Sequence, residues 1–101
     1  MEIKRRLIVN NTFGLHSRPA SEVVKLAQKF NSETFLYKVD DETKKASCKS
    51  VLSILLLGAG KGTELILSSS GPDAENAIDE ISGFFNRNFD EVVWKYAVMV
   101  E

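Results

Sequence analysis

With 101 residues, a net charge of −1 and 44% apolar side chains, the chain is sized for one domain with a modest core and has the balance of an ordinary soluble globular protein, which gives no electrostatic case for nucleic acid or an anionic membrane as partner. The basic start, Met1 to Arg6, leads into only three consecutive apolar residues, Leu7, Ile8 and Val9, too few for a signal peptide or a membrane span. A lone cysteine, Cys48, allows no internal disulfide and has no neighbouring His or Cys to complete a metal site; it reads as a small core residue in a reducing cytoplasm.

Residues 2 to 9 are rich in β-branched and aliphatic side chains and are expected to form a first strand, ending at the turn signal Asn10-Asn11. Gly14 offers backbone conformations closed to other residues, and Pro19 suits the first turn of a helix. Apolar residues then recur at Ala20, Val23, Val24, Ala27 and Phe30, the spacing of a helix from Ser17 to about Lys29. Glu33 to Val39 alternates as a strand. Asp40-Asp41-Glu42 is expected to turn it into a short partner strand over Thr43 to Ser47.

The apolar run from Ser50 to Leu57, stopped by Gly58, predicts a short helix, with Ile54 and Leu57 in the core. Thr63 to Ser69 predicts a strand. A last helix starts at Ser70-Gly71-Pro72-Asp73, with Ala74, Ala77, Ile78, Ile81, Phe84 and Phe85 on its apolar stripe and Asp73 and Glu75 suited to the dipole of its first turn. The order β-α-β-β-α-β-α is that of an α+β layer, helices on one side of an antiparallel sheet.

The chemistry concentrates between Asn11 and Ala20. His16 is the only histidine, and with Arg18 it is placed at the start of the first helix, where unpaired backbone N–H groups and the positive end of the dipole favour an anion such as phosphate. A neutral imidazole nitrogen is a competent nucleophile near neutral pH. A phosphoryl group on it would be stabilised by Arg18 and by the helix amides, that of Ser17 among them. No metal or cofactor is called for. A single histidine at a loop-helix junction also serves as a cap or a partly buried polar residue, and that plainer role stands beside the chemical one.

Other candidate sites fail on spacing. Around Gly58-Ala59-Gly60-Lys61-Gly62-Thr63, a P-loop would need Gly where Leu55 stands and Ser or Thr where Gly62 stands, and a dinucleotide fingerprint would need Gly in place of Thr63. The glycines serve turns, Lys61 is solvated, and Asp40, Asp41 and Glu42 are turn residues.

Gly14-Leu15-His16-Ser17-Arg18-Pro19-Ala20-Ser21 resembles the active-site signature of HPr, the histidine-containing phosphocarrier of the bacterial phosphoenolpyruvate-dependent phosphotransferase system, with Ser17 where many members have Ala or Thr. Lys49 to Gly58 resembles the family's regulatory-serine block at the expected distance downstream. The resemblance covers about residues 2 to 91. It implies an HPr-like open-faced β-sandwich: an antiparallel four-stranded sheet with three helices on one side.

It further implies that His16 accepts a phosphoryl group on Nδ1 from enzyme I, or its nitrogen-related paralogue, and passes it to an enzyme IIA, with Arg18 steadying it and the protein acting as a stoichiometric relay rather than an enzyme. The stretches Gly71-Pro72-Asp73 and Phe85 to Glu91 look more like the nitrogen-related branch (NPr) than the sugar branch.

Ser50 has two readings. Serine at a helix start is a natural cap; in many relatives the matching serine is phosphorylated by an HPr kinase/phosphorylase, which would place negative charge amid Val51, Leu52 and Leu55, by resemblance a partner-facing patch and otherwise core. A second function class follows: a regulatory binding module controlled mainly by Ser50, with His16 secondary. Residues 92 to 101 extend beyond the family's length. They read as an added strand, as helix continuing from Asp90, or as a self-association segment giving a weak homodimer in place of a monomer.

Overall fold

The computed structural model describes residues 2–91; the expectations for the 92–101 tail lie outside the described residues. The elements follow the predicted order: β1 (Glu2–Ile8), α1 (Ser17–Ala27), β2 (Glu33–Lys38), β3 (Asp41–Ser47), α2 (Val51–Leu56), β4 (Glu64–Ser70), α3 (Ala74–Asn86), and a terminal turn at Asn88–Asp90.

The four strands form one sheet in the order β1-β4-β2-β3, antiparallel throughout. The last of the described strands is therefore central. β4 buries Leu65 and Leu67 against the helices and pairs with β1 on one side (Leu7 opposite Leu65) and β2 on the other (Leu36 opposite Leu67). Side chains alternate between faces, so Ile3, Arg5 and Leu7 of β1 share the helix side. Arg5, the charged member of that row, donates to Asp79 Oδ1 and Ser82 Oγ of α3, both at 2.9 Å, and so remains paired where β1 meets the helix.

The helices cover that face with the predicted stripes. α1 buries Ala20, Val23, Val24 and Ala27, and α3 buries Ala77, Ile78, Ile81, Phe84 and Phe85. Cys48 lies fully inside the same core, and its thiol is pushed up to about 12 by burial alone. Ile54 is buried, and Leu57 packs against the core.

Two local expectations are corrected. The β2–β3 turn is Val39-Asp40, not Asp40 to Glu42: Lys38 pairs with Asp41, leaving a two-residue connection, the shortest that joins antiparallel strands, so Asp41 and Glu42 already belong to β3. Asp73, expected in the first turn of α3 with Glu75, stands just before it at the N-cap position, and its carboxylate makes no bond to the helix amides. It accepts from the amides of Asn31 and Ser32, both at 2.9 Å, and from Ser32 Oγ, tying the start of α3 to the loop before β2. Those bonds, led by the one from Ser32 Oγ, hold its carboxyl below the ordinary value.

Candidate functional site

The loop from Val9 to His16 is positioned by the glycine-rich loop that precedes β4. Val9 donates to the Thr63 carbonyl at 3.0 Å and accepts from the Gly62 amide at 2.7 Å, and the Leu15 amide donates to Ala59 O at 2.9 Å. Gly14 allows this approach. Its φ is +70°, and a Cβ there would lie 2.7 Å from Ala59 O and 2.9 Å from Gly60 Cα. The loop therefore comes closer than any side-chain-bearing residue would permit, and it delivers His16 to the first turn of α1.

His16 is the N-cap residue of α1, with extended backbone (φ −89°, ψ −169°) and no bond from its side chain to the helix amides. Its carbonyl accepts from the Ala20 amide at 2.9 Å. Pro19 has no N–H to offer, so the first-turn donors left for an anion are the amides of Ser17 and Arg18. The imidazole is 37% exposed. Phe13, one of the most exposed apolar side chains at 77%, meets it edge-on with ring centroids 6.1 Å apart.

The remaining contacts of this ring come from the far end of the described chain. Glu91 Oε2 lies 3.0 Å from His16 Nε2 and 3.5 Å from the Arg18 guanidinium. Arg18 also donates to the Phe89 carbonyl at 2.6 Å. Asn11, buried, donates to Gly14 O at 2.9 Å and to both oxygens of Glu91 at 3.3 and 3.4 Å, while its own Oδ1 finds no donor among the described residues. Burial opposes ionisation of Glu91, but hydrogen bonds from His16, Arg18 and Asn11 outweigh it and hold the carboxyl below its ordinary value.

Glu91 reaches this position through a strained turn. Asn88, Phe89 and Asp90 have φ of +57°, +60° and +52°, three consecutive left-handed residues without a glycine. Left-handed backbone costs an L-residue about 1–2 kcal/mol, Asn and Asp less, so the turn needs support. Phe89 supplies it, with 1% of its surface exposed and its ring centroid 5.3 Å from Phe84 and 4.9 Å from Phe85. Arg87 pairs with Asp90 at 2.7 Å, and the Glu91 amide donates to Asn88 O at 3.2 Å. Strain held in place by burial concentrates at functional positions, and here it borders the imidazole.

His16, Ser17 and Arg18 thus lie together at one helix N-terminus. Ser50 is the N-cap of α2, where its Oγ accepts from the Ser53 amide at 3.2 Å. In α2, Val51 is half-buried against the core, Leu52 is largely exposed and Leu55 partly so; Leu56, which sequence reasoning passed over, is as exposed as Phe13. Glu91 was also missed as a member of the site, and Asn11 and Phe13, which lie in the stretch singled out, had been given no role of their own. The readable signal for Glu91 was the pair Asn88 and Asp90, residues that tolerate left-handed backbone, on either side of a phenylalanine. No group of three or more His, Cys, Asp or Glu able to hold a metal occurs among the described residues. No described helix is long and apolar enough to cross a membrane.

The family model described as PTS HPr component phosphorylation site matches residues 3–87. The chain is 34% identical over 91 residues to phosphocarrier protein NPr of Escherichia coli K12, covering 90% of this chain and 99% of that one. It is 35% identical over 83 residues to phosphocarrier protein HPr of Treponema pallidum, covering 82% of this chain and 91% of the relative. Among solved structures, HPr-C-His from Thermoanaerobacter tengcongensis superposes with a TM-score of 0.81 at 33% identity, over 90% of this chain and 99% of the other.

Proposed function

Because this chain belongs to the HPr family of the phosphotransferase system, with a full-length match to NPr that supports the nitrogen-related branch, we propose that it accepts a phosphoryl group from enzyme I, or the nitrogen-related paralogue, on His16 and passes it to an enzyme IIA. The observation that supports this most is the placement of a half-exposed imidazole at the N-terminus of α1, beside uncapped amides and the Arg18 guanidinium.

Phosphoryl transfer needs in-line positioning and charge stabilisation more than acid-base groups on the acceptor. The geometry at α1 suits both needs. Arg18 is close enough to shift from the Phe89 carbonyl and Glu91 to a phosphate on the ring, and the amides of Ser17 and Arg18 offer donors to its oxygens. The surface position leaves the group open to a second protein, so the chain is a stoichiometric cytoplasmic relay that its partners complete.

Leu52 and Leu55 of α2, with half-buried Val51 beside them, and Phe13 next to His16 are in this reading the apolar side chains used for docking. Ser50 is the regulatory position in this reading. Phosphate from an HPr kinase/phosphorylase on its oxygen would add about −1.5 to −2 charges beside Leu52 and so weaken docking while leaving the fold intact.

The test is uptake of phosphate from phosphoenolpyruvate in the presence of enzyme I or its paralogue. The wild-type protein takes up acid-labile phosphate and His16→Ala takes up none. An unlabelled wild type, or equal labelling of both, refutes the carrier reading.

A further inference from the structure

We propose that Glu91 is a positioning residue for the phosphoryl acceptor: by accepting the Nε2 proton of His16 it holds the neutral ring in the tautomer whose lone pair lies on Nδ1, and it keeps the ring turned so that this nitrogen meets the incoming phosphorus. The proposal rests on the carrier reading given above. An ionised carboxylate only accepts, so the contact of 3.0 Å between Glu91 Oε2 and His16 Nε2 requires the proton to reside on Nε2. A neutral imidazole has one ring proton, which leaves Nδ1 bare. Nothing on α1 competes for that lone pair, since the side chain makes no capping bond to the helix amides.

The carboxylate is itself fixed from several sides. Asn11 donates to both of its oxygens, and the Arg18 guanidinium lies 3.5 Å from the oxygen that His16 uses. Its backbone is set by the left-handed turn that Phe89 anchors in the core. Among the described residues, the charged groups around the ring are thus Glu91 and Arg18, with Asp90 beyond Arg18 and already paired to Arg87. A carboxylate oriented this well at the second nitrogen of a reacting imidazole fixes its tautomer and its orientation, as the outer partner of a metal-bound histidine does. In the transfer step the Nδ1 lone pair forms the N–P bond, while the bond between phosphorus and the phosphorylated donor protein breaks and its electron pair leaves with the donor. The Nε2 proton stays where it is, shared with Glu91, before and after transfer.

The competing account is that Glu91 merely pins the end of the chain, and the two differ in what the ring nitrogens report. In the full chain labelled with 15N at histidine, neutral His16 is expected to show Nε2 as the protonated, pyrrole-type nitrogen and Nδ1 as the bare, pyridine-type one. Glu91→Gln keeps an acceptor oxygen and is expected to preserve that pattern. In Glu91→Ala the two shifts move toward each other as both tautomers become populated, and the initial rate of phosphoryl uptake from enzyme I falls by about two- to fivefold, the size of a half-exposed ionic hydrogen bond. If Glu91→Ala does not fold, Glu91→Asp, whose carboxylate falls short by one methylene, gives the same reading. Ring shifts and uptake rate both unchanged in the folded variant overturn the proposal, as does a loss of thermal stability with the shifts unmoved. A wild type that takes up no phosphate refutes the carrier reading instead, because the tautomer measurement needs no partner protein.

Discussion

Replacing Gly14 by alanine strikes at the contact that delivers the imidazole. The residue has φ +70°, and its new Cβ would meet Ala59 O at 2.7 Å and Gly60 Cα at 2.9 Å, both backbone atoms that move only if the glycine-rich loop moves. Left-handed backbone costs a residue with a Cβ about 1–2 kcal/mol, and forcing extra atoms into a filled space costs about 1–3 kcal/mol more, so the variant is expected to lose about 2–5 kcal/mol of stability. A domain of this size has roughly 5–15 kcal/mol in total, so the loss is large.

In urea the midpoint should fall while the slope is unchanged, because the surface exposed on unfolding is the same. The melting temperature should drop by at least about 8 °C. The Leu15 amide bond to Ala59 O lengthens as the loops part, so phosphate uptake should also decline at temperatures where the variant is still folded. A loss below about 0.5 kcal/mol, the size of a neutral surface change, would mean that the loops yield freely and that Gly14 does not set the position of His16.

Ser50→Ala removes the only side-chain cap of a six-residue helix and is expected to cost about 1 kcal/mol, read as a fall in the denaturation midpoint; an unchanged midpoint would show that α2 needs no cap. Cys48, buried and with its thiol pushed up to about 12, should react with a disulfide reagent at pH 8 only as fast as the domain opens, and rapid labelling of the native protein would contradict its place in the core. Asp73 is held below its ordinary value in the folded state, so its contribution is present above the unfolded pKa, near 3.9, and is lost as pH falls through the lowered folded value. Acid titration of stability should therefore be shallower in Asp73→Asn, and identical slopes in the two proteins would count against the tie between Asp73 and Ser32.

Much of the molecule was legible because its signals are local. Apolar spacing at Ala20, Val23, Val24 and Ala27 placed α1, and Gly14, His16, Arg18 and Pro19 lie within six residues, so the helix start and its chemistry could be read together. The helix stripe of α3 was equally plain. What was not legible depends on distance along the chain or on backbone strain. Glu91 reaches His16 across 75 positions, and no periodicity connects them. The turn that brings it there uses three consecutive left-handed residues, and the burial of Phe89 among Phe84 and Phe85 is the main support for it. The partners of Asp73 were out of view for a related reason: the amides of Asn31 and Ser32 that hold its oxygens lie 42 and 41 positions away. In α2, Leu52 and Leu55 were named through the resemblance to the family, whereas the nearly continuous apolar run gives no contrast by which the exposure of Leu56 could be read.

Asn11 and Glu91 touch across 80 positions, so the surroundings of the imidazole exist only while the first loop and the last described turn are held together. A fold in which that turn had come away would keep α1 and its histidine but lose the carboxylate beside the ring. The state of this one side chain therefore reports on the integrity of the whole described domain rather than on a single helix.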